Sequence, residues 1–243
     1  MVPLVVVPSA KMCSWFSYSP RANREILSCR LSIADSRLRS LSRSTKIVCS
    51  IRTEPSRLVL EPSGQLGMIM ATGTRVMYRS VDGRGNPDVV TGTYFEPYND
   101  WPGTGPRPLI VYGPGTQGQG DQCAPSRVFG QSIHFSSGLD ITMGYEELMA
   151  ATLVARGFAV VVTDYEGLGT PGVHTYVNRL SSAHALLDAV RAAKRLGGTS
   201  LTPDGPVALW GYSQGGGASA AAVELAPQYA PDIDLVGADA GLR

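Results

Sequence analysis

Three short apolar runs constrain this chain more than any other feature: LIVYG (109–113), FAVVV (158–162) and PVALW (206–210). A fourth, IDLVGADAG (233–241), follows them. The first three are too short for packed helices and lack the apolar–polar alternation of a strand with one wet face, so they read as strands buried on both sides. Between them lie helical patterns. YEELMAATLVAR (145–156) carries helical spacing and stops at Gly157. Ala183, Leu186, Leu187, Val190 and Ala193 make one apolar stripe, with Ser181 or Ser182 as the expected cap. QGGGASAAAVELA (214–226) is a small-residue helix. Buried strands alternating with helices predict an α/β fold, a mostly parallel sheet with helices on both faces. Upstream, two β-branched runs flank DGRGN (82–86) and predict a hairpin over 73–97.

The 243 residues are 43% apolar and 17% charged, which suits one sizeable core. A net charge of +1 gives no reason to expect a nucleic-acid partner, and no apolar run is long enough to span a bilayer. The first fifty residues differ from the rest. They carry a net charge of +6, eleven serines, no glycine and three of the four cysteines (Cys13, Cys29, Cys49). Two domains of composition are therefore expected. Residues 1–50 form a basic, Ser/Arg-rich leader unrelated to the rest and expected to be disordered, and 51–243 form the folded portion. The start lacks the basic-then-apolar order of a secretory signal peptide. Cysteine and histidine spacings match no metal site, and no cofactor is expected. Cys123 has no cysteine partner within 51–243.

The chemistry gathers where PVALW turns into the small-residue helix. Gly211-Tyr212-Ser213-Gln214-Gly215 fits G-x-S-x-G. Alone the pentapeptide is weak, and a glycine-rich turn with an inert serine is the plain alternative. Between a buried strand and a helix, however, it describes an elbow that holds serine in a strained conformation at the carboxyl edge of the sheet. The helix N-terminus then offers the Gln214 N–H to an oxyanion. A second donor is expected from the loop after an earlier strand. LIVYG feeds GPGTQG (113–118), which makes the backbone N–H of Gln117, or of Thr116, the candidate. A phosphate loop is the competing reading, but no GKS or GKT follows.

GTQGQGDQCAPS, VVVTDYEGLGTPGVHTY, AHALLDAVRAA and WGYSQGGGASAAAVELAPQYAPDIDLVGA occur in this order. Together they resemble the secretory lipase family of α/β-hydrolases over about 51–237. The resemblance implies a secreted or cell-envelope carboxylic ester hydrolase acting on acylglycerols or related fatty esters, in transient contact with lipid surfaces. It implies Ser213 as nucleophile, with Gln214 and Gln117 lining the oxyanion hole. It also matches Cys123 to a cysteine that relatives pair much further along the chain.

A serine nucleophile of this fold takes its aspartate and histidine from later in the chain. After Ser213 come Asp232, Asp234 and Asp239 but no histidine. His134, His174 and His184 all precede it; His174 lies on a loop after a strand, and His184 lies on a helix. Asp164 and Glu166 read as packing and loop-fixing groups. The expectation is an α/β-hydrolase fold incomplete at its C-terminal end, poorly soluble, with an incomplete triad and little activity of its own. The alternatives are a non-catalytic binding protein on this scaffold, or an acyltransferase or peptidase with a non-standard base.

Overall fold

A computed structural model describes residues 48–52, 57–60, 66–68, 70–129, 133–136, 140–143 and 145–241. Side-chain surroundings are described for 70–121, 123–129 and 146–241. The strands are β1 (Val48–Arg52), β2 (Arg57–Leu60), β3 (Leu66–Met68), β4 (Ala71–Val81), β5 (Pro87–Pro97), β6 (Leu109–Gly113), β7 (Ile133–Ser136), β8 (Asp140–Met143), β9 (Ala159–Thr163), β10 (Val207–Tyr212) and β11 (Leu235–Gly241). The helices are α1 (Pro125–Val128), α2 (Tyr145–Ala155), α3 (Arg179–Ala193) and α4 (Gln214–Tyr229).

Seven strands form one sheet in the order β1-β4-β5-β9-β6-β10-β11. The expected hairpin is β4–β5, paired in full register from Ala71↔Pro97 to Val81↔Pro87. Its turn is held by Asp82, whose Oδ1 accepts from the N–H groups of Arg84 and Asn86, both at 2.8 Å. The three apolar runs are β6, β9 and β10, with β11 beside them. β9, β6, β10 and β11 pair in parallel, as the alternation of strands with helices predicted. β1 pairs with β4 from Val48↔Tyr78 onward. The sheet therefore begins three residues ahead of the expected boundary at 51. The rest of the expected leader lies outside the described residues, as does the side chain of His134 on β7.

Alternate residues of each central strand serve opposite faces. Leu109, Val111, Ala159, Val161 and Leu209 pack beneath α3 and α4 together with Tyr78 and Tyr94. Ile110, Tyr112, Val160 and Val162 pack with Phe95 against α2. Each such Val, Leu, Ile or Phe side chain contributes roughly 1.5–3 kcal/mol on leaving water. In the stripe of α3, Ala183, Leu186, Leu187, Val190 and Ala193 are all fully buried. That helix starts earlier than the sequence suggested. Asn178 caps it, accepting from Ser181 N at 3.1 Å, while Ser181 and Ser182 are buried inside its first turn. The Ser181 hydroxyl instead meets Thr175 Oγ1 at 2.9 Å.

Chain order fixes where a site can sit. β6 leads through α2 to β9 on one side of it, and β9 leads through α3 to β10 on the other. Loops leaving the carboxyl ends of β6 and β10 thus diverge, and they open a crevice at this switch point.

Candidate active site

Ser213 stands at that crevice, between β10 and α4, with φ +56° and ψ −117°. A non-glycine residue in this region is strained, and the surrounding structure must hold it there. The contacts that do so are visible. Ser213 N donates to Gly241 O at 2.8 Å, and Ser213 O accepts from Gly217 N at 3.1 Å. The glycines of the pentapeptide are required by close approach. A Cβ on Gly215 would lie 1.7 Å from Gly113 O, and one on Gly211 would lie 2.2 Å from Gly215 O. The helix start is therefore pressed onto the ends of β6 and β10. The serine side chain does not cap the helix. Gln214 heads the first turn of α4, whose N–H groups have no partner within the helix.

Two other non-glycine residues among those described have positive φ, Tyr165 (+67°) and Val177 (+50°). Both lie in the loop after β9, so all three strained residues fall at the carboxyl edge of the sheet. Tyr165 is buried and donates its hydroxyl to Pro114 O at 2.9 Å, fixing the start of the loop after β6. Further along that loop, Gly115 N donates to Glu146 Oε1 at 2.7 Å, and Gln117 Nε2 donates to the same oxygen at 3.2 Å. Thr116 is exposed, and its hydroxyl meets Tyr176 Oη at 3.1 Å. Loop 114–117 is thus fixed from several sides, although it has no regular secondary structure. The Gln117 side chain turns toward Glu146 and back to Gly115.

Glu146, in the first turn of α2, is only 3% exposed. Burial pushes its carboxyl up to about 7, opposed by the bond from Gly115 N–H. Sequence reasoning missed Glu146, Tyr165 and Tyr176. The one available signal was a pair of acids, Glu146 and Glu147, opening an otherwise apolar helix.

His174 does sit beside the elbow, but not as a base free to serve Ser213. It is 5% exposed; one ring nitrogen, Nδ1, lies 2.9 Å from Glu166 O, and the other, Nε2, lies 3.2 Å from Gln214 Nε2. These partners require Nδ1 to donate and Nε2 to accept from the Gln214 amide. His184 lies with Nδ1 3.1 Å from Val81 O and stacks on Tyr229 at 4.3 Å. Asp164 is fully buried and accepts from Thr91 Oγ1 and from the N–H and hydroxyl of Ser126, tying the loop after β6 to β5 and β9. Burial raises its carboxyl above the ordinary value. Glu166 accepts from Thr175 Oγ1 at 2.7 Å. Asp232 pairs with Arg191 on α3. Cys123 is disulfide-bonded, and its partner falls outside the described side chains. Among the described residues, no group of acids, histidines and cysteines is arranged to hold a metal ion.

Residues 133–243 match the family model described as secretory lipase. A Mycobacterium tuberculosis protein described as a probable inactive lipase is 34% identical over 174 residues, covering 70% of this chain and 36% of its own. Lipase 4 of Candida albicans is 35% identical over 171 residues, covering 69% of this chain and 35% of its own. The chain thus spans about a third of the length of these relatives. Among solved structures, Candida antarctica lipase A in its closed state superposes with a TM-score of 0.55 at 24% identity, over 69% of this chain and 37% of that one. That likeness supports the fold alone.

Proposed function

Because this chain is a relative of the secretory lipases with an α/β-hydrolase sheet, we propose that it carries the nucleophile-bearing portion of a serine ester hydrolase. The substrates are acylglycerols or related fatty esters, and the protein is secreted or works at the cell envelope. The observation that carries this reading is the strained Ser213 on the turn from β10 into α4, whose Gly215 packs onto the end of β6.

In the proposed reaction the Ser213 hydroxyl attacks the ester carbonyl carbon. Its proton passes to a general base and then to the departing alcohol, leaving an acyl-serine. Water hydrolyses that ester, releasing the fatty acid and restoring the hydroxyl. The backbone N–H groups of Gln214 and Gln117 stabilise the oxyanion in both steps. His174 is not assigned as base, since its partners occupy both ring nitrogens. Among the described side chains no histidine is free to serve as that base, and turnover by these residues alone is proposed to be low. Loss of the histidine from a comparable triad lowers turnover by roughly 10⁶-fold.

A fluorophosphonate probe tests the assignment without requiring turnover. Slow labelling at Ser213 that reaches one probe per chain on long incubation, and is abolished by Ser213→Ala, is the expected result. Equal labelling of the two proteins would refute it. A non-catalytic binding protein would instead retain ester-ligand affinity after Ser213→Ala and resist labelling altogether.

A further inference from the structure

Loop 114–117 lacks the ladder that would hold a strand or helix, yet an oxyanion donor must be fixed before the charge develops. Its described anchors are of three kinds. Tyr165 Oη holds Pro114 O at 2.9 Å, and Tyr176 Oη meets Thr116 Oγ1 at 3.1 Å on the exposed side. Beneath the loop, a single carboxylate oxygen, Glu146 Oε1, takes the N–H of Gly115 at 2.7 Å and the side-chain amide of Gln117 at 3.2 Å. The Gln117 amide also reaches back to Gly115 O at 3.3 Å. One acceptor therefore draws together residues two apart in the chain and imposes a bend between them. Thr116, the residue between, is turned outward.

We propose that Glu146 is a positioning residue for ester hydrolysis, acting through Gly115 and Gln117 to hold the oxyanion loop in its working shape. The inference rests on the nucleophile and oxyanion reading above. Its physical basis is reach and acceptance. The carboxylate stands on rigid α2, is closed off from solvent, and bonds the loop at two points. Burying a carboxyl group here is costly. A neutral amide of the same shape presents the same acceptor oxygen, so glutamine serves in its place. Methionine fills the space without accepting, and aspartate retains the acid but falls one methylene short.

The experiment compares the full chain with Glu146→Gln, Glu146→Met and Glu146→Asp. It measures amide hydrogen exchange over 113–118 and the second-order rate of fluorophosphonate labelling at Ser213. The expected result is that the glutamine variant stays within about threefold of the unmodified chain in both readouts. The methionine and aspartate variants are expected to exchange the loop amides at least about tenfold faster and to label about 10–100-fold more slowly, the scale of a weakened oxyanion donor. Labelling of the methionine and aspartate variants at the unmodified rate would overturn the positioning role. So would a glutamine variant that fails while aspartate succeeds, since charge rather than reach would then matter. If the unmodified chain shows no Ser213-dependent labelling, the nucleophile reading falls and the catalytic purpose of Glu146 falls with it. In that case the exchange data still report whether Glu146 holds the loop.

Discussion

Gly215, Gly216 and Gly217 are consecutive in the first turn of α4, yet alanine at each should have a different effect. In an open helical position, alanine is favoured over glycine by about 1 kcal/mol. Gly217 is such a position, since a Cβ there meets nothing within 4 Å. At Gly215 the Cβ would lie 1.7 Å from Gly113 O, 2.5 Å from Gly113 C and 3.0 Å from Pro114 O. All three are backbone atoms of the end of β6 and its loop, which are buried and cannot rotate away. Overpacking of this kind costs about 3 kcal/mol or more and exceeds the helical gain. At Gly216 the nearest atom is Gly241 O at 2.6 Å, on the edge strand β11, which has more freedom to yield. The expected order of stability is therefore Gly217→Ala above the unmodified chain, then Gly216→Ala, then Gly215→Ala. The outer pair should differ by about 3–5 kcal/mol. Urea unfolding followed by circular dichroism measures this, with thermal midpoints expected to spread by about 10 °C. The Gly215 variant should also lose Ser213 labelling, because the clash moves the helix start. A Gly215→Ala chain as stable as Gly217→Ala would refute the claim that close approach, rather than a generic turn preference, dictates these glycines.

Burial lifts Glu146 from 4.5 to about 7, so between those pH values the folded chain holds a proton that the unfolded chain has released. Stability from this group therefore falls as pH rises through that window, by about 3 kcal/mol in all. Glu146→Gln should gain that much relative to the unmodified chain between pH 4 and pH 8 in urea titrations. No relative change would contradict the assigned environment. His174→Ala should cost about 2–4 kcal/mol, through a cavity and a Gln214 amide left without its acceptor. It should slow phosphonylation of Ser213 about tenfold at most, whereas a loss of about 10²–10⁴-fold would identify His174 as a general base; labelling kinetics separate the two. Arg191 bonds Asp188 at 3.1 Å, Asp232 Oδ2 at 2.8 Å and Tyr229 O at 3.1 Å, tying α3 to α4. Asp188, whose side chain is fully buried, loses that cation in Arg191→Met, which should cost about 3 kcal/mol by urea unfolding.

Much of the architecture was legible because local pattern and tertiary demand coincide. LIVYG, FAVVV and PVALW are apolar on both faces because each strand is covered on both faces. DGRGN closes the hairpin because Asp82 and the glycines satisfy the turn by themselves. The start of α3 was misread because three residues near it, Asn178, Ser181 and Ser182, have similar capping chemistry. Only the packing shows that the two serines are interior. The elbow was readable for a comparable reason: G-x-S-x-G states in five residues the close approach that the fold imposes.

Sequence alone therefore determined which strands are buried and that Ser213 stands on a strand-to-helix turn, since each depends on residues adjacent in the chain. Tertiary structure decided the order of the strands, the fixing of loop 114–117 by Glu146 and Tyr165, and the engagement of His174 by Glu166 and Gln214. Those contacts join residues that are 8 to 51 positions apart. Hydrogen bonds of that span leave no periodicity in a sequence and exist only once the sheet has brought their ends together.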